Sequence, residues 1–247
     1  MPAVVHPGSA IGEAIGNLIE ERILHAAEEV TTPYDHFVRR GRMRNGHGSM
    51  HQIDVVVEDS GHNPVILIEP KYLRYTKHNW DKASRLWAAH YNLKKTFDTI
   101  RMSMAVLAGN WTDTSVNFLR NFGVEIHRIP FSTIVTTLAE YDIVFNWNEH
   151  DSVAPRTAWN LFERLELSEK EDIANALTSE VIRGVQSSIE HIITLDPNAP
   201  RVINELEILL RTGQGEFFVK NFSNAPDAIR YLLSLTQDRA DIQRILR

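Results

Sequence analysis

The sequence predicts an α/β protein built on a mixed β-sheet flanked by helices. Three observations carry that expectation. Apolar residues at 9–29 recur at steps of three and four. Residues 51–58 and 65–69 are β-branched, apolar runs separated by a short turn. Helical periods and apolar runs then alternate as far as residue 129.

Ile11, Ile15, Leu18, Ile19, Arg22, Ile23 and Ala26 form the stripe of the first helix, with Ser9 as its expected N-cap and Pro33 beyond its end. Residues 34–44 read as a polar strand running into a loop with Gly41, Gly46 and Gly48. His51 to Glu58 is a strand, residues 59–64 a turn, and Val65 to Glu69 a strand apolar enough to be buried on both faces. The short turn makes these two strands an antiparallel pair. A long helix is expected over 79–101, a strand over 103–108 ending at Gly109, a helix near 112–122 capped by Thr112 or Asp113, and a strand over 123–129.

The polar, acidic stretch 146–155 reads as a boundary, giving a core over 1–148 and a mainly helical C-terminal region over 149–247. Ser168 with Glu171 has the capping-box spacing and opens a helix of about 25 residues to Ile193. Residues 196–200 break it. Residues 205–211 and 216–222 form a hairpin around 212–215, and a last helix starts near 226.

Composition narrows the function. The chain has 247 residues and no Cys, which excludes a disulfide scaffold, a thiol nucleophile and a Cys-ligated zinc site. No apolar run approaches the roughly 18 residues of a spanning helix. The first residues lack a basic segment followed by a long apolar one, so a cytoplasmic location is expected. The net charge of -6 hides an asymmetry: residues 1–130 carry 15 Lys and Arg against 14 Asp and Glu, whereas 131–247 carry 11 against 18. Basic side chains concentrate at Arg39, Arg40, Arg42 and Arg44, and again from Lys71 to Arg101. Such patches bind a polyanion even on an acidic protein, because phosphate contacts act over about a Debye length.

The chemistry centres on three residues. Asp54 sits inside an apolar strand, where a carboxylate is costly unless paired or metal-bound. Glu69 ends the next strand, and Lys71 follows two positions on, so the two side chains share a face if the strand continues through Pro70. A hairpin of this length brings Asp54 alongside. Two carboxylates can hold a hard divalent cation such as Mg²⁺. A lysine beside them can orient a water, or act as base if its pKa is depressed.

The segments Gln52-Ile53-Asp54-Val55-Val56-Val57 and Ile66-Leu67-Ile68-Glu69-Pro70-Lys71, in a helix–strand–strand–strand–helix–strand order, resemble the PD-(D/E)XK nuclease superfamily, and within it the type II restriction endonucleases. The resemblance covers about residues 9–130. Gln52-Ile53 stands before Asp54 where the name pattern has Pro. The resemblance implies a restriction-endonuclease-like core in which Asp54, Glu69 and the Pro70 carbonyl hold Mg²⁺ (or Mn²⁺), and Lys71 positions the water. It also implies a glutamate on the first helix facing the site. Glu20 matches that place best, ahead of Glu13 and Glu21.

The implied activity is Mg²⁺-dependent hydrolysis of double-stranded DNA at a specific sequence, by a homodimer with a cognate methyltransferase in the same system. Arg39, Arg40, Arg42, Arg44, Arg74, Tyr75, Lys77 and Lys82 are the expected nucleic-acid contacts. The C-terminal region would serve dimerisation or target recognition. The competing readings are a resolvase-like repair or recombination nuclease, a nuclease acting on RNA, and a non-catalytic nucleic-acid-binding protein on the same fold.

Overall fold

The computed structural model describes residues 7–148, 150–196 and 198–235. The chain divides into two units, Met1–Leu195 and Asp196–Arg247. Among the described residues no helix is long and apolar enough to cross a membrane.

The first unit is α/β. Its sheet contains β1 (Phe37–Arg44), β2 (Met50–Glu58), β3 (Pro64–Leu73), β4 (Met102–Gly109) and β5 (Val124–Pro130), ordered as in the chain. β1, β2 and β3 pair antiparallel, and β3, β4 and β5 pair parallel. The β2–β3 connection is short because Asp59 folds it: its Oδ1 accepts from the Gly61 and Asn63 amides at 2.9 Å each. The parallel strands need longer crossovers. These are α2 (Asn79–Lys94) and α3 (Asp113–Asn121), which bury Ala83, Leu86, Val116 and Leu119 against Ala105 and Leu107 on one face of the sheet. Of the two expected candidates, it is Thr112 that caps α3, by accepting from the Ser115 amide.

The other face is covered by α1 (Pro7–Thr31), described from Pro7, with Ser9 inside the helix rather than capping it. Ile11, Ile15, Ile19 and Ile23 are completely or almost completely buried against Val55, Val57, Ile66, Ile68, Met104 and Val106. The sheet alternation follows directly: residues 66 and 68 face α1, while 67 and 69 face away.

Four departures from the sequence reading have physical causes. The helix expected over 79–101 stops at Lys94, and a turn through Phe97 and Ile100 carries the chain into β4. The single helix expected up to Ile193 is two, α6 (Leu167–Thr178) and α7 (Ile182–Thr194). The break lets the apolar stripes of both lie on α1, which one straight helix would not do. The capping box that opens α6 pairs Glu166 with Glu169, two residues earlier than Ser168 and Glu171. Two short helices were not foreseen, α4 (Phe131–Ala139) and α5 (Ala154–Arg164). Between them Phe145 and Trp147 are buried, and α5 packs on α1. The 148/149 boundary expected from composition thus falls inside the first unit.

The second unit is a hairpin, β6 (Leu206–Arg211) paired antiparallel with β7 (Phe217–Phe222), against which α8 (Ala225–Leu235) packs. Asn224 caps that helix by accepting from the Asp227 amide at 2.9 Å.

Gly109 ends β4 with φ +95°, and a Cβ there would lie 2.1 Å from the Leu73 carbonyl oxygen. Gly109→Ala is expected to destabilise by about 3 kcal/mol or more, a Tm loss of roughly 6–12 °C. Gly123→Ala, also left-handed but with nothing within 4 Å, is the control and is expected to lose only about 1 kcal/mol. Equal Tm losses in the two variants would show that the close β3–β4 approach is not the constraint.

Candidate active site

β2 and β3 pair up to Val55 opposite Ile68. One step further would set Asp54 opposite Glu69, and there the ladder stops. β2 stays on β1, with Ile53 opposite Gly41, while β3 stays on β4, with Glu69, Pro70 and Lys71 opposite Ala105, Val106 and Leu107. Pro70 has no N–H to offer a neighbour, so it suits a strand leaving its partner. The strands splay at the position where three charged side chains need room.

Those side chains converge. Lys71 Nζ donates to Asp54 Oδ2 and lies 2.6 Å from Glu69 Oε2. Glu69 is nearly closed off at 5% side-chain exposure, Asp54 is at 14%, and Lys71 reaches solvent at 31%. Burial, the hydrogen bond that the protonated Glu69 carboxyl donates to Asp54 and the charge of Asp54 push Glu69 well above the usual carboxylate range against the pull of Lys71. Burial disfavours the Lys71 ammonium, but Glu69 and Asp54 outweigh it and raise its pKa. Lys71 is therefore a fixed cation, and the alternative role of base through a depressed pKa does not fit this geometry.

α1 contributes Glu20. It is half-buried, and its carboxyl is pushed up first by burial and then by the charge of Asp54, with Lys71 opposing. Glu21 instead pairs with Arg40 at 2.8 Å, and Glu13 is exposed. Of the three candidates on the helix, Glu20 is electrostatically tied to the site.

The donor set suits a hard divalent cation. Two carboxylates already point their oxygens at one cationic nitrogen, and Glu69 Oε2 is buried 2.6 Å from it. Among the described residues no group of three or more His, Asp and Glu is arranged to hold a metal ion. The protein would supply Asp54, Glu69 and the carbonyl of the buried Pro70, and water or a phosphate the remaining positions, which is how Mg²⁺ is commonly held.

The expected nucleic-acid contacts divide. Arg39 pairs with Glu58 and Arg40 with Glu21. Arg74 donates to the Phe145 and Trp147 carbonyls at 2.7 and 3.2 Å and stacks 4.0 Å from the Trp147 ring centre, so it pins the 145–147 segment. Tyr75 OH accepts from Arg74 Nε, and Lys77 lies 5.7 Å over the Tyr75 ring. Arg42 and Arg44 are exposed on edge strand β1. Lys82 is exposed on α2 and lines, with Tyr72, Tyr75, His78 and Trp147, a groove of about 640 Å³.

One residue escaped the sequence reading. His90, on the apolar face of α2, is buried with Nε2 3.9 Å from Glu69 Oε1. Its place on the apolar face of α2 carries no sign of a role, and only the packing of α2 on β3 brings it to the carboxylate. A second cluster, in which Glu125 accepts from Ser188 and lies 3.1 Å from His127 Nε2, places the carboxylate between the other two. It ties β5 to α7 and lacks the central imidazole of a serine nucleophile relay.

No protein-family profile matches the chain, and no curated protein matches it. A crystal structure of a protein of unknown function is similar over 71% of this chain and 98% of its own, with 10% identity and a TM-score of 0.34. That likeness carries no functional argument.

The raised Glu69 pKa makes a stability prediction. A carboxyl with a higher pKa in the folded state favours folding while protonated, and that contribution is lost as pH rises past its unfolded value toward the raised one. With EDTA present, the wild-type Tm should fall as pH rises from the acid side through neutrality. Glu69→Gln should flatten that fall and raise the neutral-pH Tm by about 2–4 °C, corresponding to ~1 kcal/mol. A variant with the wild-type pH slope would remove Glu69 as its source.

Proposed function

We propose that the chain is a divalent-cation-dependent DNA endonuclease of the PD-(D/E)XK type, with its α/β unit serving as a restriction-endonuclease-like core. The observation that carries this reading is the convergence of Asp54 and Glu69 on the Lys71 ammonium where β2 leaves β3. Two carboxylates meeting in a nearly closed site suit a hard divalent cation, and carboxylates alone would repel a phosphodiester.

In this reading Asp54, Glu69 and the Pro70 carbonyl bind Mg²⁺. When bound, the ion lowers the pKa of a water and neutralises charge developing on the phosphate. The chain's own groups do the rest. Lys71, kept cationic by its neighbours, donates to the attacking water or to a phosphate oxygen and so orients the attack. It cannot take the water's proton. Glu20, a half-buried carboxylate with a raised pKa, is the group of the site suited to accept it.

Arg42, Arg44 and Lys82 are exposed cations within the expected contact set and face solvent where backbone phosphates could reach them. A two-fold pair of chains would present one site to each strand of a palindromic target. The second unit exposes Phe217, Phe218, Val219 and Leu232, apolar surface of the kind a dimer contact covers.

A plasmid digest tests the proposal. Wild type with Mg²⁺ should give discrete fragments that vanish with EDTA. Asp54→Ala should lose cleavage at least ~10³-fold while still binding DNA, and Lys71→Ala should lose about two orders of magnitude or more without unfolding. Cleavage by Asp54→Ala at the wild-type rate would refute the site. Arg44→Ala and Lys82→Ala should each lower the salt slope of DNA binding by about one; slopes equal to wild type would take them out of the phosphate footprint.

A further inference from the structure

α2 presents Ala83, Leu86, His90 and Leu93 to the sheet at helical spacing, and all four are buried. Three are apolar. The fourth is an imidazole at 1% exposure whose two ring nitrogens both lack a hydrogen-bond partner. An apolar side chain would serve packing better, because a buried polar group without a partner is destabilising. A neutral imidazole carries one N–H that it can donate to a carboxylate oxygen.

The Glu69 carboxylate is divided between two neighbours. Oε2 faces Lys71 at 2.6 Å, on the side of Asp54, and Oε1 faces His90 Nε2 at 3.9 Å. The second separation is about 1 Å longer than a hydrogen bond. A small turn of the Glu69 carboxylate would close it. Carboxylates that ligate metals are themselves commonly held by hydrogen bonds behind them, and losing such a partner weakens metal binding by about 10–100-fold.

We propose that His90 is the positioning residue of this cation site: it donates a ring N–H to Glu69 Oε1 and thereby aims Oε2 at the ion shared with Asp54. The inference rests on the cation-binding part of the proposed function. It assigns His90 no contact with substrate or ion.

The test uses Mn²⁺ alone, with the full-length chain and no nucleic acid. Binding is followed by the EPR signal of free Mn²⁺ and by calorimetry. Wild type should bind Mn²⁺ and Asp54→Ala should not. His90→Leu, which fills the space without a donor, should remain folded with a Tm no lower than wild type and bind Mn²⁺ about 10–100-fold more weakly. His90→Gln, which restores an N–H, should recover affinity to within a few-fold of wild type. Wild-type affinity in His90→Leu, or equal losses in the Leu and Gln variants, would overturn the role of His90 while leaving the site intact. A wild-type chain that takes up no Mn²⁺ would overturn the site and the role of His90 together.

Discussion

Two strands that must part and three charges that must meet impose one constraint on this protein. Asp54 and Glu69 occupy the first positions beyond the last β2–β3 pair, and Lys71 reaches back between them. Had the ladder continued, the carboxylates would face each other across a closed pair, where like charges repel. Had the strands parted earlier, the apolar pairs Val55–Ile68 and Val56–Leu67 would lose their register. Pro70 marks the parting chemically by removing a donor, and β4 keeps β3 in place along its other edge.

Around that opening the electrostatics are tightly linked. A nearly closed glutamate is unfavourable as an anion, and the lysine that makes it tolerable is held in its charged form by the same contacts. Glu20 on α1 and His90 on α2 approach the same strand end. Both sheet-covering layers contribute to one short length of β3.

The basic side chains show how a composition signal divides on folding. Arg39 and Arg40 find acidic partners, and Arg74 holds two carbonyls while sandwiched among Tyr75, Phe131, Phe145 and Trp147. Arg42, Arg44 and Lys82 remain at the surface. A run of arginines in a sequence records positive charge, but its availability depends on what the fold sets beside each one.

The sequence by itself determined the periodicities: the Ile11–Ile15–Ile19–Ile23 stripe, the two apolar strands, the Asp59 turn, a cap at Thr112 or Asp113 and the hairpin at 206–222. Each depends on residues close together in the chain. It also placed Asp54, Glu69 and Lys71 together, because a tight antiparallel turn fixes which residues oppose each other. Tertiary structure alone decided the break between α6 and α7, the burial of Phe145 and Trp147, the capture of Arg74, the tie between Glu20 and Asp54, and the approach of His90 to Glu69. These depend on how layers stack across distant parts of the chain, and neither spacing nor composition encodes which side chains such stacking brings within a few ångströms.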